Sequence, residues 1–302
     1  MRIGLDIGGT KTDAVALDAA GGVLQGVRVP TGTGPDAVVA SAERAVREVI
    51  DLAGVRAEQC ASIGVGIPGV VDQQAGRVHH AVNLGVEQLD LAQRLAERVG
   101  VPVRVENDVK AAALGAYHLL RLHDSAAYLN LGTGLAAGIV ADGGLWRGAR
   151  GGAGEIGHIP VEPLGAYCTC GQRGCLETIA SGGAIARMWP STSPLPAVEL
   201  FDAADAGDRH ALDVRHALAV GVASAVRILV LSVDVELVVI GGGLSSLGDR
   251  LLAPVVEVLQ GWGVSSPFLS SLRLQDRVRM LAPQLKAAAV GAALVGAAHA
   301  VA

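Results

Sequence analysis

Length, a small-aliphatic composition and an internal repeat predict an α/β protein of two related domains that face each other across a cleft. At 302 residues the chain exceeds what one hydrophobic core ordinarily fills. About half of it is apolar, 18% is charged and only 3% is aromatic, which suits a compact α/β fold and argues against disorder. The repeat is the sharpest of the three signals. Leu5-Asp6-Ile7-Gly8-Gly9-Thr10, then Ala14-Val15-Ala16-Leu17 and a turn ending at Gly21-Gly22, return as Leu129-Asn130-Leu131-Gly132-Thr133-Gly134, Ala137-Gly138-Ile139-Val140 and a turn ending at Gly143-Gly144. Gly132 follows Gly8 by 124 residues and Gly143 follows Gly21 by 122. Each copy reads strand, glycine turn, strand, glycine turn, with a third strand at Val23 to Val29 or Leu145 to Arg147.

Helices fill the gaps. Val38, Ala42, Ala45, Val46, Val49 and Ile50 recur at helical spacing between Pro35 and Gly54. Leu91, Leu95 and Val99 do so after Asp90, which has the chemistry of an N-cap. A further helix is expected from Val109 to Leu122, and strands at Ser62 to Ile67 and Val101 to Glu106 complete a β-β-β-α-β-α order in the first half. In the second half, Pro190 to Pro196 reads as a loop and Ala211 to Leu231 as a long helix leading into the apolar strand Leu237 to Ile240. The domains are expected over 1–109 and 110–284, with a small-residue helix over 285–302 packing back on the first.

Composition narrows the function. No run of about 18 or more uncharged apolar residues appears, and the N-terminus leads into a strand, so neither a membrane span nor a signal peptide is expected. A formal net charge of −5 without a Lys/Arg block speaks against a nucleic-acid surface. The expectation is a cytoplasmic protein with no nucleic-acid or membrane partner.

Three of the four cysteines and one histidine fall in a metal-ligand pattern: Gly154-Glu155-Ile156-Gly157-His158, then Cys168-Thr169-Cys170-Gly171-Gln172-Arg173-Gly174-Cys175-Leu176-Glu177. Zinc takes four soft or borderline ligands at tetrahedral corners, and Cys168, Cys170, Cys175 and His158 supply them. The other reading is a disulfide with a spare thiol, which the closeness of Cys168 to Cys170 disfavours. Glu155 and Glu177 flank the set and call for something polar between them. Cys60 stands alone and reads as a small apolar side chain.

Two glycine turns suggest phosphate binding and a third suits a nucleoside. Gly8, Gly9, Thr10 and Lys11 follow the first strand, where exposed N–H groups and the Thr10 hydroxyl suit phosphate oxygens. Asp6 beside them suits a magnesium ion held through water. Gly132-Thr133-Gly134 repeats that turn, and Gly241-Gly242-Gly243 after an apolar strand permits close approach of a base or ribose. In Glu106-Asn107-Asp108, Asn107 can donate to and accept from a hydroxyl, and Asp108 is either a general base or, with its neighbours, a helix cap. Gly66-Ile67-Pro68-Gly69 and Asn83-Leu84 are candidates to line the same cleft.

Taken in order, Asp-x-Gly-Gly-Thr-Lys, Gly-x-Pro-Gly, Glu-Asn-Asp, Gly-Thr-Gly, Gly-Glu-Ile-Gly-His, Cys-x-Cys-Gly-x-x-Gly-Cys-x-Glu and Gly-Gly-Gly resemble the ROK family of repressors, open reading frames and sugar kinases, over essentially the whole chain. The resemblance implies two ribonuclease-H-like domains of the actin/hexokinase superfamily around a cleft, and an ATP-dependent kinase acting on the 6-hydroxyl of glucose, a close relative or an amino sugar. It makes Asp108 the base, gives the sugar's other hydroxyls to Asn107, Glu155, His158 and Glu177, with Asn83 as a further candidate, and makes the zinc structural. It also implies ATP with Mg²⁺ and a homodimer or homotetramer. The chain departs from the family pattern at Gly85-Val86-Glu87 after Asn83-Leu84, at Val109-Lys110, and at Leu135-Ala136-Ala137; the first bears on sugar identity. The alternative is a sugar-binding sensor without kinase activity. Family repressors place a helix-turn-helix of about 70–80 residues before the first motif, and none is expected here because that motif begins at Asp6.

Overall fold

The computed structural model describes residues 1–56, 59–282 and 284–297. The chain forms two compact units, Met1–Leu122 joined by the segment that begins at Lys286, and His123–Leu285. The first opens with three antiparallel strands, β1 (Arg2–Ile7), β2 (Lys11–Leu17) and β3 (Val23–Pro30). Helix α1 (Pro35–Ala53) then crosses to β4 (Ser62–Ile67), which pairs parallel with β1. A short antiparallel sheet follows, β5 (Val70–Asp72), β6 (Arg77–Ala81) and β7 (Val86–Leu89), and after it α2 (Leu91–Val99), β8 (Val103–Asn107) parallel to β4, and α3 (Asp108–Leu119). The main sheet runs β3-β2-β1-β4-β8.

Helix α1 forms because Val38, Val39, Ala42, Ala45, Val46, Val49 and Ile50 share one buried face. Proline opens it, Asp36 meets the positive end of its dipole, and Gly54 closes it in the left-handed conformation. Asp90 precedes α2 but does not cap it through its side chain; Arg77 of β6 takes that carboxylate instead.

The second unit repeats the plan. Strands β9 (Ala126–Leu131), β10 (Leu135–Ala141) and β11 (Gly144–Trp146) are antiparallel. An irregular stretch carrying the cysteines leads to α4 (Gly182–Met188), α5 (Pro196–Asp205) and α6 (Arg209–Val233). Then come β12 (Leu237–Gly241), α7 (Asp249–Ser265), α8 (Pro267–Leu272) and β13 (Val278–Met280). The sheet runs β11-β10-β9-β12-β13, with β12 parallel to both β9 and β13. In each unit the sheet therefore places its strands in the order third, second, first, fourth, fifth, three antiparallel and then two parallel. Helix α6 is long and apolar enough to cross a membrane by length and composition. Here it is a core helix, burying Leu218, Val222, Ala225, Val226 and Leu229 in the unit's core.

The last helix, α9 (Ala287–Ala297), lies on β1, β4 and α3 of the first unit. Its small residues permit backbone contact: a Cβ on Gly64 would collide with the Ala292 carbonyl, and one on Gly291 with that of Ala111. Because α3 packs on α9, it belongs to the first unit, and the division falls after Leu122 rather than at residue 109. Residues 298–302 of the expected C-terminal helix lie outside the described residues. The small sheet β5–β7 is absent from the sequence-based order. Its strands are three to five residues long and carry exposed residues such as Val70, Glu87 and Gln88, so no alternation announces them.

Gly64→Ala forces the Ala292 carbonyl away and is expected to cost about 3 kcal/mol or more, read as a lower midpoint in thermal or urea unfolding. A variant as stable as the wild type would show that α9 does not pack this closely.

Candidate functional site

In the first unit, parallel pairing brings the candidate residues to one end of the sheet. Asp6 stands opposite Gly66, and Gly66 opposite Glu106, with Asn107 following on β8. This is the carboxyl edge of the parallel strands, where α/β sheets bind ligands. Asn107 is the N-cap of α3: its Oδ1 accepts the N–H groups of Val109 at 3.1 Å and Lys110 at 3.2 Å. Its Nδ2 points to the Gly69 carbonyl at 3.4 Å. Asp108 is the first helical residue, with Oδ1 accepting the Val109 N–H at 3.0 Å. The cap thus belongs to Asn107, and it sets where Asp108 stands.

Asp6 has its carboxyl pushed up to about 7, first by burial and then by the charges of Asp108 and Asp13, against the pull of Lys11 and Arg28. Asp13 lies across from Asp6 in the β1–β2 register and is itself neutralised by Arg28, whose guanidinium grips both carboxylate oxygens, and by Lys286 at 3.2 Å. After β1 the chain turns tightly at Gly8-Gly9-Thr10, closed by the Gly8 N–H on the Lys11 carbonyl at 2.9 Å. Thr10 and Lys11 are exposed, and Gly9 lies against Asn83, which sits exposed in a 3₁₀ turn after β6.

Two further groups stand next to Asn107 and Asp108 in the first unit. Glu106 is 1% exposed; one oxygen accepts the Asn107 N–H at 2.9 Å and the other the Gln73 amide. Lys110, in the first turn of α3, is 7% exposed. The signal for both was present in the sequence: a carboxylate and an ammonium set among apolar residues immediately around Asp108.

In the second unit, the ligand atoms of His158, Cys168, Cys170 and Cys175 all lie within 4.8 Å of one another. Cys168 Sγ is 3.7 Å from His158 Nδ1, and Cys170 Sγ is 3.7 Å from Cys175 Sγ. A tetrahedral ion with bonds of about 2.0–2.3 Å sets its ligands about 3.5–3.8 Å apart, so the cluster fits one. All four cysteines are free, which removes the disulfide reading. The loop is built for this convergence. Pro160 bridges Cys175 and Tyr167 bridges Arg173, the Cys168 N–H meets the Gln172 carbonyl at 2.8 Å, and Gly174 at φ 74° approaches the Glu162 carbonyl too closely for any side chain. The Gln172 amide beside Cys170 pulls that thiol down to about 6, while burial and the neighbouring sulfurs push Cys175 up to about 12.

Glu155 is exposed at the start of the 3₁₀ turn Ile156–His158, and the Gly154 carbonyl anchors that segment on the Ala137 N–H at 2.8 Å. Glu177 is half-buried and one of its oxygens accepts the Leu135 N–H at 2.9 Å. It therefore reaches the Gly132-Thr133-Gly134 turn, which sequence alone did not reveal. Gly241-Gly242-Gly243 ends β12, with Gly242 at φ 81° and its N–H on the Tyr128 hydroxyl at 3.0 Å. Between the two glycine turns lies the Asn130 amide: a Cβ on Gly132 would be 3.3 Å from its Nδ2, and one on Gly242 2.6 Å from its Oδ1. Asn130 is the repeat's counterpart of Asp6, and the repeat was the signal that could have found it.

The ROK family model matches residues 2–298. The glucokinase of Halalkalibacterium halodurans is 35% identical over 292 residues, 87% of this chain and 86% of that protein. Among solved structures, the ROK hexokinase from Thermus thermophilus superposes with a TM-score of 0.80 at 34% identity, covering 98% of this chain and 97% of that one. The ROK family glucokinase from Streptomyces griseus, in complex with glucose and AMPPNP, gives a TM-score of 0.80 at 32% identity and 98% coverage of both chains. These neighbours carry the actin/hexokinase-like fold, as does this chain.

The Asp6 geometry has a pH signature. A carboxyl whose native pKa lies above its unfolded value of 3.8 holds its proton more tightly when folded, so folding weakens as pH rises from about 4 to about 7. Asp6→Asn removes that ionisation. In magnesium-free buffer its stability gain over the wild type is expected to grow from about pH 4 to about pH 7 and then level off, reaching about 1–3 kcal/mol. Urea unfolding across pH tests this, and a pH-independent difference would contradict it.

Proposed function

Because the chain belongs to the ROK family, we propose that it is an ATP-dependent hexose kinase that phosphorylates the 6-hydroxyl of glucose or a close relative, with Asp108 as general base. The observation that carries the choice of base is the placement of Asp108: a carboxylate set by the Asn107 cap at the carboxyl edge of the parallel strands, beside the raised Asp6 and the Gly8–Thr10 turn.

A sugar hydroxyl is a weak nucleophile. As O6 bonds to the γ-phosphorus, its proton passes to Asp108, and the bond from that phosphorus to the bridging oxygen breaks to release ADP. Such transfers need positioning and charge neutralisation more than covalent help. Asn107 spends its Oδ1 on the helix and one Nδ2 hydrogen on the Gly69 carbonyl, and the second Nδ2 hydrogen donates to a sugar hydroxyl. Glu155, His158 and the second oxygen of Glu177 take further hydroxyls, and Asn83 is an additional candidate beside the first turn. Gly8, Gly9, Thr10 and Lys11, with Gly132, Thr133 and Gly134, hold phosphates; Gly241, Gly242 and Gly243 leave room for the base or ribose.

Asp6 would hold Mg²⁺ through water, and the bound ion offsets phosphate charge. The raised carboxyl of Asp6 next to Asp108 supports this, because a cation there relieves their repulsion. His158, Cys168, Cys170 and Cys175 would hold Zn²⁺, which with four protein ligands is structural. With Nδ1 facing the sulfurs, His158 keeps Nε2–H for a hydroxyl.

Asp108→Asn is expected to lower turnover by about 10²–10⁴-fold while hexose affinity stays within about threefold of wild type, measured by coupled ADP release and calorimetry. Near-normal turnover would remove Asp108 from the role. Chelation should release zinc stoichiometrically and weaken hexose binding by about tenfold or more, because the His158 loop loses its anchor. Unchanged hexose affinity in zinc-free protein would contradict that.

A further inference from the structure

Glu177 is grouped by its motif with the sugar-binding residues, yet its hydrogen bond goes to the nucleotide turn. Oε2 accepts the N–H of Leu135, the residue directly after Gly132-Thr133-Gly134, at 2.9 Å. Gly134 admits the carboxylate, for a Cβ there would collide with Oε2. The same segment grips the turn twice more, through the Gly182 N–H on the Gly132 carbonyl at 2.8 Å and the Gly183 N–H on the Thr133 carbonyl at 2.9 Å. The segment is also braced internally. The Ser181 hydroxyl donates to the Glu177 carbonyl at 2.8 Å and accepts the Ala184 N–H at 3.0 Å, and the Thr178 hydroxyl donates to the Cys175 carbonyl at 2.7 Å. A carboxylate beside a phosphate turn repels its ligand if it faces it. Committed to a backbone N–H, it instead acts on the turn's shape.

We propose that Glu177 is a positioning residue for the Gly132–Gly134 turn, and that through it hexose and nucleotide reinforce each other's binding. The inference rests on the kinase assignment of Glu177 to the sugar and of the turn to phosphate. A carboxylate has two oxygens. One holds Leu135; when the other accepts a sugar hydroxyl, the side chain is pinned and the turn's Gly134 end with it. Phosphate then meets a turn already ordered, so less of its binding free energy goes into ordering the backbone. Linkage makes the effect reciprocal.

The test uses calorimetry on the zinc-loaded full chain with AMPPNP–Mg²⁺ and glucose, for wild type, Glu177→Ala, Glu177→Gln and Gly134→Ala. In wild type, saturating glucose should tighten AMPPNP about fivefold or more. Without glucose, Glu177→Ala should weaken AMPPNP about tenfold or more, whereas Glu177→Gln, whose amide oxygen still accepts the Leu135 N–H, should stay within about threefold. Gly134→Ala, which displaces the carboxylate from the nucleotide side, should weaken glucose about tenfold. Amide exchange at Leu135 should quicken in Glu177→Ala and not in Glu177→Gln, while global unfolding midpoints show that each variant folds. Unchanged AMPPNP affinity in Glu177→Ala with glucose affinity lost would make Glu177 a sugar ligand alone and overturn the proposal, leaving the kinase reading intact. Equal loss of AMPPNP affinity in the Ala and Gln variants would also overturn it. Wild-type protein that binds neither ligand would defeat both.

Discussion

Parallel pairing of β1 with β4, and of β4 with β8, is the constraint on which the candidate site of the first unit depends. Parallel strands end on the same side, and the register sets Asp6, Gly66 and Glu106 at one level, with Asn107 and Asp108 immediately beyond. The arrangement has an electrostatic cost, since desolvation and the charges of Asp108 and Asp13 push the carboxyl of half-buried Asp6 up to about 7. Carboxylates kept together against their repulsion suit a site that receives a cation or a proton. Behind them, α9 lies so close to β4 and α3 that backbone touches backbone, a fit that only glycine and alanine permit.

The second unit reuses the plan with different chemistry. Where the first strand of unit one carries Asp6, the first strand of unit two carries Asn130, level with Gly241. An amide set between two glycine turns adds no negative charge where phosphates are proposed to bind, whereas the carboxylate of the first copy suits a metal ion. The stretch from Cys175 to Gly183 then joins the Cys3His cluster to the Gly132–Gly134 turn through short hydrogen bonds, two between backbones and one to the Glu177 carboxylate. The Cys3His cluster, Glu177 and the Gly132–Gly134 turn are thus tied together through one continuous stretch of chain.

What was legible in the sequence was local or repeated. The duplication showed in the spacing of Gly8 and Gly132, and both sheets carry it; the Cys168 to Cys175 run and His158 converge as their spacing required. What was not legible depends on partners distant in the chain. Asp90 holds the N-cap position of α2 as expected, but its carboxylate goes to Arg77 on β6 rather than to a helix N–H. The strands β5 to β7 are too short and too exposed for alternation to mark them. Glu106 and Lys110 flank Asn107-Asp108 and Asn130 lies in the repeat, so the sequence carried their signal, but burial and register are what give it meaning. Asn107 and Asp108 posed a choice between cap and chemistry that the structure resolves as division of labour: the first caps, and the cap places the second.

For a kinase with Asp108 as base, phosphate moves from ATP to the 6-hydroxyl of a hexose. Incubating the protein with Mg²⁺–ATP and glucose, and reading the product by ³¹P–¹H correlation NMR, tests it most directly. Transfer to O6 gives a phosphorus signal coupled to the sugar's C6 protons, formed in step with ADP and absent without sugar. ADP release at the same rate with and without any hexose, and no sugar phosphate formed, would contradict it.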